Sequence, residues 1–157
     1  MKSCFFIGHR EADERLLPKL TQIIERLITE ENVSYFYVGG YGGFDRMAGL
    51  AVKQAKKQHP NVVLKLVLPY HPAEHPIEAP PGYDGTYYPE GLENVPRLYA
   101  IARANRILVE TSDWLIAYVR HGASNSLNLL EYAQRREKKG LIRIVNLVES
   151  IDLFREA

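Results

Sequence analysis

The stretch VSYFYVGGYGGFDR, residues 33–46, decides the fold. Its first part, Val33–Val38, is an apolar run that predicts a buried strand, and an amphipathic helical pattern begins at Phe44. Four of the five positions between them are glycine. A glycine turn between a strand and a helix leaves several backbone N–H groups unpaired at the positive end of the helix dipole. Such a place suits a phosphate group.

This glycine turn, residues 39–43, has two interpretations. The amides of Gly39, Gly40, Gly42 and Gly43 cradle an anion, or the glycines only permit a tight turn and close packing of the helix. The dinucleotide fingerprint is a different motif, because its glycines follow the first strand and an acidic residue comes about 20 positions later. We therefore expect no nicotinamide cofactor, and we expect no other cofactor.

Outside this stretch, apolar runs and helical periodicities alternate along the chain. Further strands are predicted at residues 3–7, 62–68, 114–119 and 141–147. Helices are predicted from no earlier than about residue 13 to residue 28, from residue 44 to just before Pro60, around residues 98–105, and at residues 125–138.

The alternation predicts one α/β domain over residues 1–157. We expect a Rossmann-like three-layer sandwich, with a mostly parallel sheet of about five strands and helices on both faces. Residues 69–93, the proline-rich segment, hold six of the nine prolines and are predicted to be an irregular lid or binding loop. The four tyrosines of this segment either stack on a base or pack together to hold it in place.

The composition limits the partners. The chain has 157 residues, 46% of them hydrophobic, and a net charge of +1, which predicts no broad nucleic-acid surface. The only cysteine, Cys4, lies in the first apolar run, which excludes an internal disulfide and is typical of a reducing compartment. No window approaches the roughly 18 apolar residues of a membrane span, and the amino-terminal run is too short for a secretory signal. We expect a cytoplasmic protein without a membrane partner.

Ligands of parallel sheets bind where the strands end, and polar residues follow the first strand there. Gly8, His9 and Arg10 come directly after it. Arg10 offers a planar fork of donors to a phosphate, or it pairs at the surface with Glu11 or Asp13. His9 can donate a hydrogen bond or titrate near neutral pH. We assign all three residues to the ligand site.

Carboxylates and hydroxyls complete the predicted site. Asp45, in the first turn of the second helix, complements the dipole, or it binds ribose hydroxyls or stabilises an oxocarbenium-like transition state. After the fourth strand, Ser124, Asn125 and Ser126 either cap the next helix or bind a phosphate. Glu131 is a solvated helix acid or a second candidate for a catalytic carboxylate. The five histidines lack the spacing of metal ligands, so no metal site is expected.

With these residues in view, the chain resembles the SLOG superfamily. These Rossmann-like domains include the LOG phosphoribohydrolases, the DNA-processing protein A domain and the YpsA-like proteins, and the chain looks closest to the YpsA-like branch of bacteria and phages. The similarity covers residues 3–147. It is carried by residues 4–10, by Gly39-Gly40 through Phe44-Asp45, by residues 103–113 leading into 115–118, and by residues 131–133 followed by Lys139-Gly140.

The resemblance implies a pocket for a nucleotide or a nucleotide-derived ligand, used for sensing or for cleaving a base from a ribose phosphate. The LOG enzymes carry a Gly-Gly-x-Gly-Thr turn after the fourth strand, followed soon by a Glu. Here Ser124, Asn125 and Ser126 lie near that place, and Glu131 falls later. This departure weakens the hydrolase interpretation and leaves binding intact.

Binding or sensing of a nucleotide-type ligand is therefore the primary prediction. An N-glycoside hydrolase that uses Asp45 or Glu131 is the first alternative, and a non-catalytic scaffold module is the second. A homodimer is compatible with the balanced charge and is not required by it.

Overall fold

The computed structural model describes residues 1–120 and 124–148. Its strands are β1 (Lys2–Gly8), β2 (Val33–Val38), β3 (Val63–Val67), β4 (Thr86–Tyr87), β5 (Trp114–Tyr118) and β6 (Arg143–Asn146). Its helices are α1 (Leu16–Glu30), α2 (Gly43–Gln58), α3 (Ala100–Thr111) and α4 (Ser124–Lys138), and a 3₁₀ turn at Arg97–Tyr99 leads into α3. Within the described residues, no helix is long and apolar enough to cross a membrane.

All strands are parallel, in the order β4-β3-β2-β1-β5-β6. β1 lies inside the sheet, where Phe5 pairs with Tyr37 of β2 on one side and with Leu115 of β5 on the other. This parallel sheet confirms the predicted α/β Rossmann-like fold. It has six strands rather than about five. The extra one, β4, lies inside the proline-rich segment, and its two residues are too few to show a periodicity.

Alternation along β1 divides the core between the two faces of the sheet. Phe6 packs in the cluster formed with α1 and α2, which includes Phe36 and Phe44. Phe5 packs in the opposite cluster, which includes Leu108 of α3 and other residues of α3 and α4. Successive side chains of a strand point to opposite faces, so a run of consecutive apolar residues requires cover on both sides. The three layers are therefore those predicted.

The proline-rich segment is fixed to the sheet by a charged contact. The Asp84 carboxylate accepts hydrogen bonds from the Lys56 ammonium at 2.5 Å and from the Leu64 backbone N–H at 2.8 Å. The Asp84 N–H returns a bond to the Leu64 carbonyl. These bonds align β4 beside β3 and bring the segment back to the edge of the sheet. Long connections with such internal structure are typical of binding loops.

Candidate functional site

The glycine turn lies directly against the loop that follows β1. The Gly43 N–H donates to the Arg10 carbonyl at 2.6 Å, and the Phe44 N–H donates to the His9 carbonyl at 3.2 Å. A methyl group at position 43 would lie 2.5 Å from that carbonyl oxygen. Gly43 therefore allows two backbones to approach closely. The expectation that its amide is open to an anion is corrected, because the amide is already occupied.

The other glycines of the turn differ in what surrounds them. Gly42 has a φ of 119°, and a Cβ there would lie 2.8 Å from the Arg10 Cα. A Cβ on Gly39 would meet the Asp45 carboxylate at 2.9 Å, whereas one on Gly40 would make only an ordinary contact. Among the described residues, the amides of Gly39, Gly40 and Gly42 have no acceptor, whereas that of Tyr41 donates to Asp45. The amides of Gly40 and Gly42, on either side of Tyr41, are therefore free to bind a ligand.

Asp45 folds back into the glycine turn. Its carboxylate accepts the Tyr41 N–H at 3.0 Å, and the side chain is partly buried. Burial raises the pKa of Asp45 from 3.8 to about 6, although the bond from Tyr41 acts in the opposite direction. This carboxyl group holds the shape of the turn and is close to half-protonated at slightly acidic pH. The structure thus places Asp45 at the predicted site, with its carboxylate turned inward.

Arg10 lies on the glycine turn with its side chain in solvent. Asp13, one of its two predicted surface partners, instead pairs with Arg15 at 2.5 Å. In the parts of the chain that the structure describes, the Arg10 guanidinium forms no ion pair. Its five donors are therefore available at the edge where the amides of Gly40 and Gly42 are open.

His9 ties the loop after β1 to the end of β5. Its Nε2 accepts the Arg120 backbone N–H at 2.7 Å, so the neutral ring carries its proton on Nδ1. Burial is the main cause that lowers the pKa of His9, and the positive charge of Arg120 lowers it further. The ring also packs edge-on against Tyr118, 5.4 Å between centroids. His9 thus lies at the predicted site, with its Nε2 already hydrogen-bonded to the Arg120 amide.

The end of β5 contributes two further side chains. The Arg120 guanidinium donates to the Tyr118 hydroxyl and lies 5.1 Å from the centre of that ring. Tyr118 is almost fully buried, while Arg120 is exposed. A second guanidinium therefore lies close to the loop that carries His9 and Arg10. Arg120 directly follows a predicted strand, the position at which ligands bind in open parallel sheets.

Two groups of predicted residues lie on α4. Ser124, Asn125 and Ser126 begin α4, with Asn125 exposed and Ser126 half-buried, and residues 121–123 of the predicted turn lie outside the described residues. Glu131 follows Ser124 by seven positions, about 10 Å along the helix axis. It is exposed, and no hydrogen bond joins it to another described residue.

Gly8, at the end of β1, serves packing, since the Phe44 ring fills the place of its side chain.

Aromatic side chains lie beside the glycine turn. Tyr41, inside the turn, is 45% exposed. Tyr70, just after β3, has the Arg97 guanidinium 4.5 Å from its ring centre. Burial, followed by the neighbouring Tyr70, raises the pKa of Tyr41, while Arg97 acts in the opposite direction. Sequence reasoning considered the tyrosines of the proline-rich segment and overlooked Tyr41, although it lies between the glycines.

Two grooves lie at the amino ends of the strands, away from this edge. One, of about 240 Å³, is lined by residues of α1 together with Trp114 and Arg143. The other, of about 430 Å³, lies beside Val33 and Val62. Neither is lined by a predicted site residue. The candidate site is therefore the set of loops at the carboxyl ends of β1, β2 and β5, which is where ligands bind in open parallel sheets.

Comparison with known proteins adds information at the level of the fold. No protein-family model and no curated protein sequence matches the chain. The X-ray structure of DNA processing protein A from Streptococcus pneumoniae matches with a TM-score of 0.58 and 18% identity, over 87% of this chain and 48% of that chain. The molybdenum cofactor carrier protein from Chlamydomonas reinhardtii matches with a TM-score of 0.56 and 16% identity, over 99% and 98% of the two chains.

The two matches show that the chain shares their fold. The chain spans about half the length of the DNA processing protein, and nearly the whole length of the carrier protein. The Rossmann-like architecture that the resemblance implied is thereby confirmed. The assignment to the YpsA-like branch stays a prediction.

Proposed function

We propose that this chain binds a nucleotide-type ligand at the carboxyl ends of β1 and β2, with the phosphate held by the glycine turn and Arg10. The observation that carries the proposal is the position of Arg10. Its backbone lies on Gly42 and Gly43, and its exposed guanidinium is unpaired within the described residues. A planar fork of donors beside the open amides of a glycine turn complements a phosphate dianion.

Three physical features support an anion at this position. The turn precedes α2, whose amino-terminal end carries a partial positive charge. Arg120 adds a second guanidinium on the side of β5. The net charge of the chain is only +1, so attraction of an anion depends on these local groups and not on a general positive field. Ser124, Asn125 and Ser126 remain proposed donors from the start of α4.

The fold neighbours do not determine the ligand. One is named as a carrier of the molybdenum cofactor and the other as a DNA processing protein. Shared folds host unrelated functions, so the proposal depends on the residues of this chain. A single-stranded oligonucleotide belongs in the ligand panel, because it presents phosphates and bases together.

Thermal shift and calorimetry with AMP, ADP-ribose, NAD, a cyclic dinucleotide, inorganic phosphate and an oligothymidylate test the proposal. A ligand present at about 100 times its Kd stabilises the native state by about 2.7 kcal/mol, so binding raises Tm measurably. We expect Arg10→Ala to weaken binding and Arg26→Ala to leave it unchanged. Arg26 is an exposed arginine near the opposite end of α1 and serves as the matched control.

Two results would contradict the proposal. The first is no stabilisation by any mononucleotide at millimolar concentration, which would favour the scaffold alternative. The second is equal weakening by Arg10→Ala and Arg26→Ala, which would place the anion elsewhere. Stabilisation by the oligonucleotide alone would replace the mononucleotide with a nucleic acid as the ligand.

One observation favours the hydrolase as a second candidate. A carboxyl group whose pKa is about 6 can give and take a proton near neutral pH, and Asp45 has that value. This candidate predicts free base in samples of a nucleoside monophosphate, separated by chromatography, and no base with Asp45→Asn. Glu131→Gln tests the other predicted carboxylate, and we expect it to keep base release because Glu131 is exposed and lies about two turns into α4. Binding without product over hours would leave a sensor.

A further inference from the structure

Two of the four tyrosines of the proline-rich segment, Tyr83 and Tyr87, are used for packing. The Tyr87 ring lies 5.0 Å from that of Tyr37 on β2. The Tyr83 ring lies beneath the Lys53 ammonium, 5.7 Å from its centre, on the surface of α2. Both side chains are only partly exposed. These contacts hold the segment on the sheet, which is the second of the two roles predicted for its tyrosines.

Tyr41 is more exposed than these two, and Tyr70, which is half-buried like them, packs against an arginine. Tyr41 is 45% exposed, and its backbone lies between the two glycines whose amides are open. Tyr70 has its ring close to the Arg97 guanidinium, at 4.5 Å, and packs edge-on with His75, 5.8 Å between centroids. Tyr41 and Tyr70 each follow the end of their strand by three residues, and these strands, β2 and β3, are parallel neighbours with Val38 paired to Leu66, so both tyrosines lie at the same edge of the sheet. An aromatic surface with one cation therefore adjoins the glycine turn.

We propose that Tyr41, Tyr70 and Arg97 form a stacking site for the base of the ligand, beside the phosphate position on the glycine turn. The inference deepens the proposed function and rests on it. Consecutive Cα atoms are about 3.8 Å apart, so the backbone that carries the Tyr41 side chain lies within one residue of the amides of Gly40 and Gly42. One nucleotide can then reach both subsites.

The chemistry favours a base over an apolar protein surface at this place. Aromatic rings stack on the π-face of any base, and guanidinium groups stack on bases and attract phosphates. A hydrophobic partner would have to desolvate the Arg97 guanidinium without pairing its charge, which is costly. The exposed ring, the cation and the neighbouring anion position together match a nucleotide.

The test compares ADP with inorganic pyrophosphate, which shares its phosphates and lacks the base. We expect Tyr41→Ala to weaken ADP binding by about 5- to 150-fold, the usual effect of removing one stacked aromatic ring, and to leave pyrophosphate binding within about twofold. Tyr41→Phe keeps the ring and should bind ADP like the parent chain. Tyr132→Ala is the matched control, because Tyr132 also contacts an arginine, 4.2 Å from its ring centre, away from the glycine turn.

Calorimetry on the parent chain and these variants, with circular dichroism as the check of folding, separates the outcomes. Unchanged ADP binding by Tyr41→Ala would refute the stacking site and leave the proposed function intact. Equal loss of ADP and pyrophosphate would also refute it, because Tyr41 would then shape the turn rather than bind a base. A parent chain that binds neither compound would refute the proposed function itself.

Discussion

Replacement of Asp45 by asparagine tests the most unusual electrostatic feature of the site. The Asp45 carboxylate is partly buried in the glycine turn, and its oxygen accepts the Tyr41 N–H. Asparagine has nearly the same shape, and its carbonyl oxygen can accept the same hydrogen bond. Asp45→Asn therefore removes the ionisable group and preserves the contact. We expect the variant to be more stable than the parent chain at neutral pH.

The magnitude follows from the pKa of Asp45, which burial raises from 3.8 to about 6. An acid whose pKa is higher in the folded state stabilises the fold fully below its unfolded pKa and loses that contribution as the pH rises through the folded value. The loss is about 1 kcal/mol at about pH 4.5 and about 3 kcal/mol at about pH 7.5. The free energy of unfolding of Asp45→Asn should exceed that of the parent chain by these amounts.

Urea unfolding of both proteins at the two pH values measures the difference. Asp84→Asn is the control of opposite sign. Burial acts to raise the pKa of Asp84, but the hydrogen bonds from Lys56 and the Leu64 amide outweigh it, so the pKa is lowered. This substitution should therefore destabilise the fold more at neutral than at acidic pH. A stability difference between Asp45→Asn and the parent chain that does not change with pH would refute the reasoning. A less stable Asp45→Asn at about pH 7.5 would show that the negative charge is needed in the turn.

Further predictions concern the contacts around the site. Gly43→Ala should destabilise the fold by about 1–3 kcal/mol in urea unfolding, because its methyl group would overlap a carbonyl at 2.5 Å, while Gly40→Ala should cost far less. The pKa of His9 is lowered, so the parent chain should lose stability relative to His9→Gln as the pH falls below 6.5; parallel curves would contradict this. Lys56→Met should speed limited proteolysis of the proline-rich segment, whereas the exposed Lys57→Met should not.

The architecture was predictable because its signals are local. Consecutive apolar residues in β1 and β5 predicted strands buried on both faces, and alternation with amphipathic helices predicted a parallel sheet. The glycine turn was located from sequence for the same reason, since the strand, the glycines and the helix are contiguous. β4 was not predicted, because its pairing with β3 depends on the Asp84 contact and because two residues are too few to show a strand periodicity.

The use of each site residue was less predictable because it depends on contacts between distant positions. His9 and Arg120 are 111 residues apart, and nothing in either local sequence indicates that an amide of one will occupy a ring nitrogen of the other. The same holds for Gly43, whose amide is taken by the loop after β1. Sequence reasoning could place these residues at one edge of a sheet. It could not decide which of their polar groups the protein itself uses.

That distinction changes how the glycine turn can bind an anion. A turn with every amide open would grip a phosphate through the backbone alone, and substitution of side chains would matter little. Here the Gly43 amide serves the fold, and a carboxylate that repels anions lies inside the turn at Asp45. The amides that remain open must act together with Arg10, and protonation of Asp45 must favour the anion. Affinity should therefore depend chiefly on the Arg10 guanidinium. For NAD, whose phosphates keep their charge in this range, affinity should increase as the pH falls toward about 6.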